Sequence, residues 1–184
     1  RSADRNVEDV QAFSRELGTQ IIRQGHALLN ACQTDFDADV ARAAFDALQG
    51  KPDSEIERRL ISFVLSGTTA SHAFGRVLRS RLVSWYTEYA DFVPEPVQMA
   101  DAVIMVRGFD GAKRAAWWSR HAKKPLLPVA AFDGAAKEIF DREIKEFDQR
   151  YASTVDKLDY QGLDSGTRDW PKRAASVVAL AENL

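Results

Sequence analysis

The chain of 184 residues is 45% hydrophobic and 28% charged, enough apolar material to build a sizeable core in a single globular domain, residues 1–184. Its formal charge of −2 gives no general reason to expect duplex nucleic acid or an anionic membrane as a partner. The single Cys32 excludes an internal disulfide and makes a reducing, cytoplasmic setting the default, while no apolar run approaches a transmembrane length and no signal-peptide pattern occurs.

Val7, Val10, Phe13, Leu17, Ile21 and Ile22 recur at the spacing of an amphipathic helix over Val7–Arg23. Asn6 stands as its N-cap, with Asp9 three residues on, and Gly25 as its stop. His26–Cys32 reads as a short buried strand, in which the cysteine packs rather than reacts. A second helix, Phe36–Leu48, precedes Gly50 and a turn over Lys51–Ser54. Leu60–Leu65 is the next strand, cut by Ser66-Gly67-Thr68-Thr69. Arg76–Tyr86 reads as a helix with Val77, Leu78, Leu82 and Trp85 on one face, and Pro94-Glu95-Pro96 interrupts the chain ahead of a short helical turn.

Ala102–Val106 is an apolar run that ends at Arg107, and Gly108-Phe109-Asp110-Gly111 turns it into a helix over Ala112–His121. An apolar run of this length closed by a glycine turn predicts a buried strand of a parallel sheet. Pro125–Ala130 is a further strand, and Asp133-Gly134 opens a long helix, Ala135–Tyr151, with Ile139, Phe140, Ile144 and Phe147 inward. Trp170-Pro171 introduces a last helix, Lys172–Asn183, and neither an internal repeat nor a low-complexity linker interrupts the order. The alternation predicts an α/β fold: a Rossmann-like, doubly wound, mainly parallel sheet flanked by helices.

Ligands of such sheets sit beyond the carboxyl ends of the strands, which singles out Asn30–Thr34, Ser66–Ser71, Arg107–Lys113 and Ala131–Ala135. At the third of these, Gly108 and Gly111 allow close backbone approach, Arg107 stands at the strand edge, and the helix start offers N–H groups and a partial positive charge to a phosphate. The bland reading is an ordinary tight turn. Lys113 and Arg114 oppose the helix dipole at a small cost that an anion offsets, or they form a solvated face. Thr68 and Thr69 carry hydroxyls suited to ribose or phosphate, although such turns are common. Glu95, between two prolines, is the candidate acid/base carboxylate, against a plain surface turn. His72 has no partner visible in the sequence, His26 and His121 are assigned no chemistry, and neither a metal site nor a cofactor is implied. Trp85, Trp117 and Trp118 are either base-stacking residues or core.

The stretch Ala100–Val106, then Arg107–Ala115, then Lys124–Val129 resembles the SLOG superfamily. This Rossmann-like group includes the LOG, "lysine decarboxylase-like", nucleotide phosphoribohydrolases. Their pattern is a strand of the type (S/A)DAFIAL, a PGGxGTxxE turn, a helix and a K-P strand. Phe132-Asp133-Gly134-Ala135-Ala136 is similar to the FGGA-type turn of the group's defence-associated domains, which adds Gly134 to the implied site. Arg79 or Arg81 lies where members carry an arginine, and Ala112 holds the place of the phosphate-binding threonine. Phe109 replaces the second glycine, and Ala115 stands where the hydrolases carry their catalytic glutamate. Members begin with a strand and a G-S-R type loop, so the resemblance implies that a first strand is missing and that Arg1 and Ser2 belong to a phosphate loop.

The implied function is binding of a small phosphorylated nucleotide, or a signal derived from one, at the sheet's carboxyl edge. The implied chain self-associates, and its partner is neither nucleic acid nor membrane. The loss of the glutamate at Ala115 supports binding over chemistry. One alternative is a nucleotide N-glycosidase using Glu95 or Asp101; another is a structural domain whose helices, such as Ala135–Tyr151, pair between subunits.

Overall fold

The computed structural model describes residues 2–32, 34–67, 69–70, 72–80 and 93–184, without the side chains of residues 2–6 and 80. The fold is mixed α/β, and the described strands are all parallel, three in one sheet and two in another. Two compact units divide the chain: Arg1–Ala90 with Pro94–Pro96 and Asp169–Ala175, and Asp91–Val93 with Val97–Arg168 and Ser176–Leu184.

The first unit opens on α1 (Ser2–Arg23), followed by β1 (Leu28–Asn30), α2 (Asp35–Ala47), α3 (Asp53–Arg59), β2 (Leu60–Leu65) and β3 (Arg76–Ser80). Helix α1 buries Val10, Phe13, Leu17, Ile21 and Ile22, as its periodicity predicts, but Val7 is 44% exposed. Asn6 lies within α1 and is not its cap, because the helix already runs from Ser2. The stop at Gly25 holds: with φ of 96° it lets its own N–H reach Ile22 O and the His26 N–H reach Ile21 O. That pair of bonds is a Schellman ending, open to a residue that tolerates left-handed backbone. Arg59 then donates to the carbonyls of Ile22 and His26, so the end of α1 is also satisfied from α3.

Strand β2 has the predicted bounds, and buried Leu60, Ile61, Phe63 and Val64 make it the centre of the sheet β1-β2-β3. The expected helix from Arg76 is instead β3, paired in parallel register with Ile61 opposite Arg76 and Leu65 opposite Ser80. A buried strand needs partners for the backbone groups on both of its edges, and β1 serves only one. Ser62, fully buried, pins the connection by donating to Phe74 O at 2.7 Å and accepting from the Phe74 N–H at 2.9 Å. The turn expected at residues 51–54 passes directly into α3, with Pro52 at the N-cap. Residues 81–86 of the expected helix, including Trp85, lie outside the described residues.

In the second unit the order is β4 (Val103–Val106), α5 (Asp110–His121), β5 (Leu126–Val129), α6 (Ala135–Glu143), α7 (Phe147–Arg150) and α8 (Lys157–Gln161). Helix α4 (Glu95–Met99), ahead of β4, and the last helix, α9 (Trp170–Asn183), each carry residues of both units. Strands β4 and β5 pair in parallel, Val103 opposite Leu126. Met105, Ala116, Leu126, Ala136 and Ile139 pack into one core beneath them. The long helix expected over Ala135–Tyr151 breaks at residues 144–146, where Lys145 and Glu146 bond three residues back, to Arg142 and Glu143. No helix among the described residues is long and apolar enough to cross a membrane.

Gly18 decides how closely α1 and α2 approach. A β-carbon there would lie 2.1 Å from Val40 O, a backbone atom that cannot rotate away. Alanine in a helix interior ordinarily gains about 1 kcal/mol over glycine, whereas overpacking a rigid contact costs about 1–3 kcal/mol. Gly18→Ala is therefore expected to destabilise the protein in urea denaturation. Gly162→Ala, with nothing within 4 Å of its β-carbon, should be neutral or stabilising.

Candidate anion site at the end of strand β4

Strand β4 leaves the sheet through two consecutive left-handed residues, Arg107 at φ 54° and Gly108 at φ 84°. A non-glycine residue in that region costs about 1–2 kcal/mol, so Arg107 is a point of stored strain. Gly108 is obligatory, since a β-carbon there would lie 2.4 Å from the Ala112 β-carbon. Phe109 follows at the N-cap of α5 in extended backbone, with no side-chain cap. The first intrahelical bond runs from Lys113 N–H to Phe109 O, so the N–H groups of Asp110, Gly111 and Ala112 point out of the helix end.

The turn also caps a second helix. The carbonyls of Gly108 and Arg107 accept from the first amides of α6, Ala135 at 3.0 Å and Ala136 at 2.9 Å. Gly134, at φ 73°, is required for that approach: its β-carbon would stand 2.8 Å from Gly108 O and 3.2 Å from Arg107 Cγ. The structure thus brings together Arg107, Gly108 and Gly134, and spends the start of α6 on protein carbonyls. Ala112 packs against the core around Met105, while Gly111 is exposed in the first turn of α5. Lys113 reaches across to Glu138 at 2.6 Å, and that carboxylate raises the Lys113 ammonium above its ordinary pKa. Arg107, half-buried, meets no carboxylate among the described residues.

The remaining candidates lie apart from this turn in the chain's organisation. Thr69 and Arg79 belong to the first unit, Arg79 on β3 opposite Val64. Glu95 opens the five-residue helix before β4, exposed and also counted with the first unit. Ser2 is the first helical residue of α1, not a loop residue. Arg1, Thr68 and Arg81 lie outside the described residues. The turn after β1 is already closed: Asn30 accepts from the Cys32 N–H and donates to Asp37 O, and Thr34 and Asp37 form a capping box. Acidic Asp35 and Asp37 occupy that helix start, which disfavours an anion there. Burial pushes the Cys32 thiol up, which keeps it from acting as a thiolate. Among the described residues no group of three or more His, Cys, Asp or Glu is placed to hold a metal ion.

The strongest polar cluster is one that the sequence reading missed. Glu143 is fully buried and accepts from Arg120 at 2.6 Å, from Arg150, and from the Tyr151 hydroxyl at 3.1 Å; Arg120 also reaches Glu146 at 2.8 Å. Tyr160 stacks on Tyr151, centroids 5.2 Å apart, and donates to Leu126 O at 2.9 Å, which ties the cluster to β5. The signal was present: Glu143 falls on the inward stripe with Ile139 and Phe147, and a carboxylate there must be paired. The break after α6 permits it, because a straight helix would hold Glu143 and Arg150 about 10 Å apart along its axis. No protein-family model and no curated protein matches this chain.

Removing one member of a buried ion cluster leaves the others uncompensated. Glu143→Ala is expected to lower stability by about 3 kcal/mol in chemical denaturation, more than Lys137→Ala at an exposed pair. Alkaline pH gives an independent check. Burial, with the Glu143 charge beside it, pushes Tyr151 up to about 12, and burial raises Tyr160 further. Unfolded tyrosines ionise near pH 10, so the folded protein holds protons that the unfolded chain has released. Stability should be flat below about pH 9 and fall progressively up to about pH 12; a phenolate absorbance titration should show two tyrosines that ionise only on unfolding.

Proposed function

We propose that the protein binds a small phosphorylated nucleotide, or a signal derived from one, at the carboxyl end of β4, as a Rossmann-like domain of the SLOG type. In this reading the phosphate lies on the N–H groups of Asp110, Gly111 and Ala112, with Arg107 beside it. The observation that carries the reading is Arg107: left-handed, half-buried, without a carboxylate among the described residues, and next to a helix start that its own N-cap does not satisfy. Strained residues of this kind persist where the surroundings over-determine them, commonly at ligand sites. Further support comes from the parallel strands, whose consecutive members are neighbours in both sheets. Lys113, which forms an exposed pair with Glu138, can exchange that partner for a phosphate at little cost.

The test is calorimetry and ligand-observed NMR with AMP, ADP-ribose, ATP, GMP and NAD. At least one should bind, and Arg107→Ala should weaken it about tenfold or more through loss of a charge-assisted hydrogen bond. Absence of binding by every compound would defeat the reading. Release of free base that stops in Glu95→Gln would replace binding with N-glycosidic hydrolysis.

A further inference from the structure

The outward face of α5 departs from the rule for surface helices, which turn charged and polar residues to solvent. Trp117 is 45% exposed, and Phe109, immediately before the helix, is 78% exposed. Trp117 and His121, one helical turn apart, stack as a parallel, offset pair of rings with centroids 5.3 Å apart and planes at 8°. Exposed Lys113 sits one turn ahead of Trp117. The opposite face of the helix is committed to the interior through Ala116 and Ser119. Charge is concentrated here as well. Arg107–Lys124 carries six Lys and Arg against the one acid Asp110, a formal +5 in a chain of −2. Three glutamates, Glu138, Glu143 and Glu146, pair with Lys113 and Arg120.

Three kinds of occupant can be weighed against this face. A bilayer takes a helix whose apolar side is free to sink among the lipids, and the apolar side of α5 is in the core. A second copy would set the same cations against themselves in an isologous contact. A single-stranded nucleic acid supplies flat bases for the rings and phosphates for the cations in one ligand. We infer that the outward face of α5 binds single-stranded nucleic acid, with bases continuing the Trp117–His121 stack and lying on Phe109, and phosphates met by Lys113 and Lys123. The face runs about 18 Å from Phe109 to His121, room for a few nucleotides. The chain's overall charge speaks against a duplex partner and leaves this local excess untouched. The inference shares Lys113 with the site at Arg107 and rests on the rings, which that site does not use.

The experiment is fluorescence anisotropy of a labelled oligothymidylate of about eight nucleotides, beside an abasic strand of equal length, polyglutamate, and vesicles containing phosphatidylserine. The 184-residue chain should prefer the oligothymidylate over the abasic strand. Its affinity should fall by about 0.7 logarithmic units per phosphate contacted for each tenfold rise in salt. Trp117→Ala should weaken binding about 5- to 150-fold, and Phe109→Leu should lower it while leaving the thermal transition unchanged. No binding at low salt, equal affinity for the abasic strand or polyglutamate, or indifference to both ring substitutions would overturn the inference. Vesicle binding that Trp117→Ala abolishes, without oligothymidylate binding, would overturn it in favour of a membrane.

Discussion

At three glycines a backbone carbonyl occupies the place that a side chain would take: Val40 O at Gly18, Leu60 O at Gly75 and Gly108 O at Gly134. These contacts set the spacing on which the rest relies. In the first unit, Gly18 lets α1 and α2 meet backbone to backbone, and Gly75, at φ 67°, lets the chain enter β3 directly against the start of β2. In the second unit, Gly134 brings α6 down onto the turn after β4 so that its first amides find Arg107 O and Gly108 O. A methyl group at any of these positions would separate elements whose hydrogen bonds require that approach. The third contact has a chemical consequence. With α6 capped by protein, α5 is the long helix at this strand edge whose start is left open.

The elements legible in the sequence are those whose partners do not alter the pattern. Leu60–Leu65 is a short apolar run with β-branched residues, and such a run buried on both faces is a strand in almost any parallel sheet. Helix α1 shows its period over five turns. Strand β3 was not legible, because Val77 and Leu78 fit a helix as well as a strand, and only the open edge of β2 decides between them. Helix α3 was hidden for a different reason: Ile56 is its one apolar residue, so it has no stripe to read. The break between α6 and α7 turns on Glu143, whose demand for Arg120, Arg150 and Tyr151 is a tertiary fact.

The candidate site divides in the same way. The glycines announced the turn, since Gly108 and Gly134 serve backbone geometry that only glycine adopts freely. Which charges face a ligand could not be read. Lys113 stands in the helix turn where a cation is least welcome, and the structure resolves that conflict with Glu138 on the neighbouring helix. Arg120, three residues beyond Trp117, turns inward to Glu143. Arg107, the residue before the glycine, remains half-buried without such a partner among the described residues.

Phe109 joins these arguments. The N-cap position favours an oxygen-bearing side chain that accepts from the helix end, and an apolar residue there forgoes about 1 kcal/mol. Such a residue ordinarily recovers the loss by burial, yet Phe109 is 78% exposed and recovers little. It therefore breaks two rules of folding at one position, beside a left-handed Arg107 that breaks a third. Where local rules fail together without a compensating contact, stability does not account for the sequence. An unfilled helix end, a strained cation and an exposed ring thus fall within the four residues 107–110, at the start of α5.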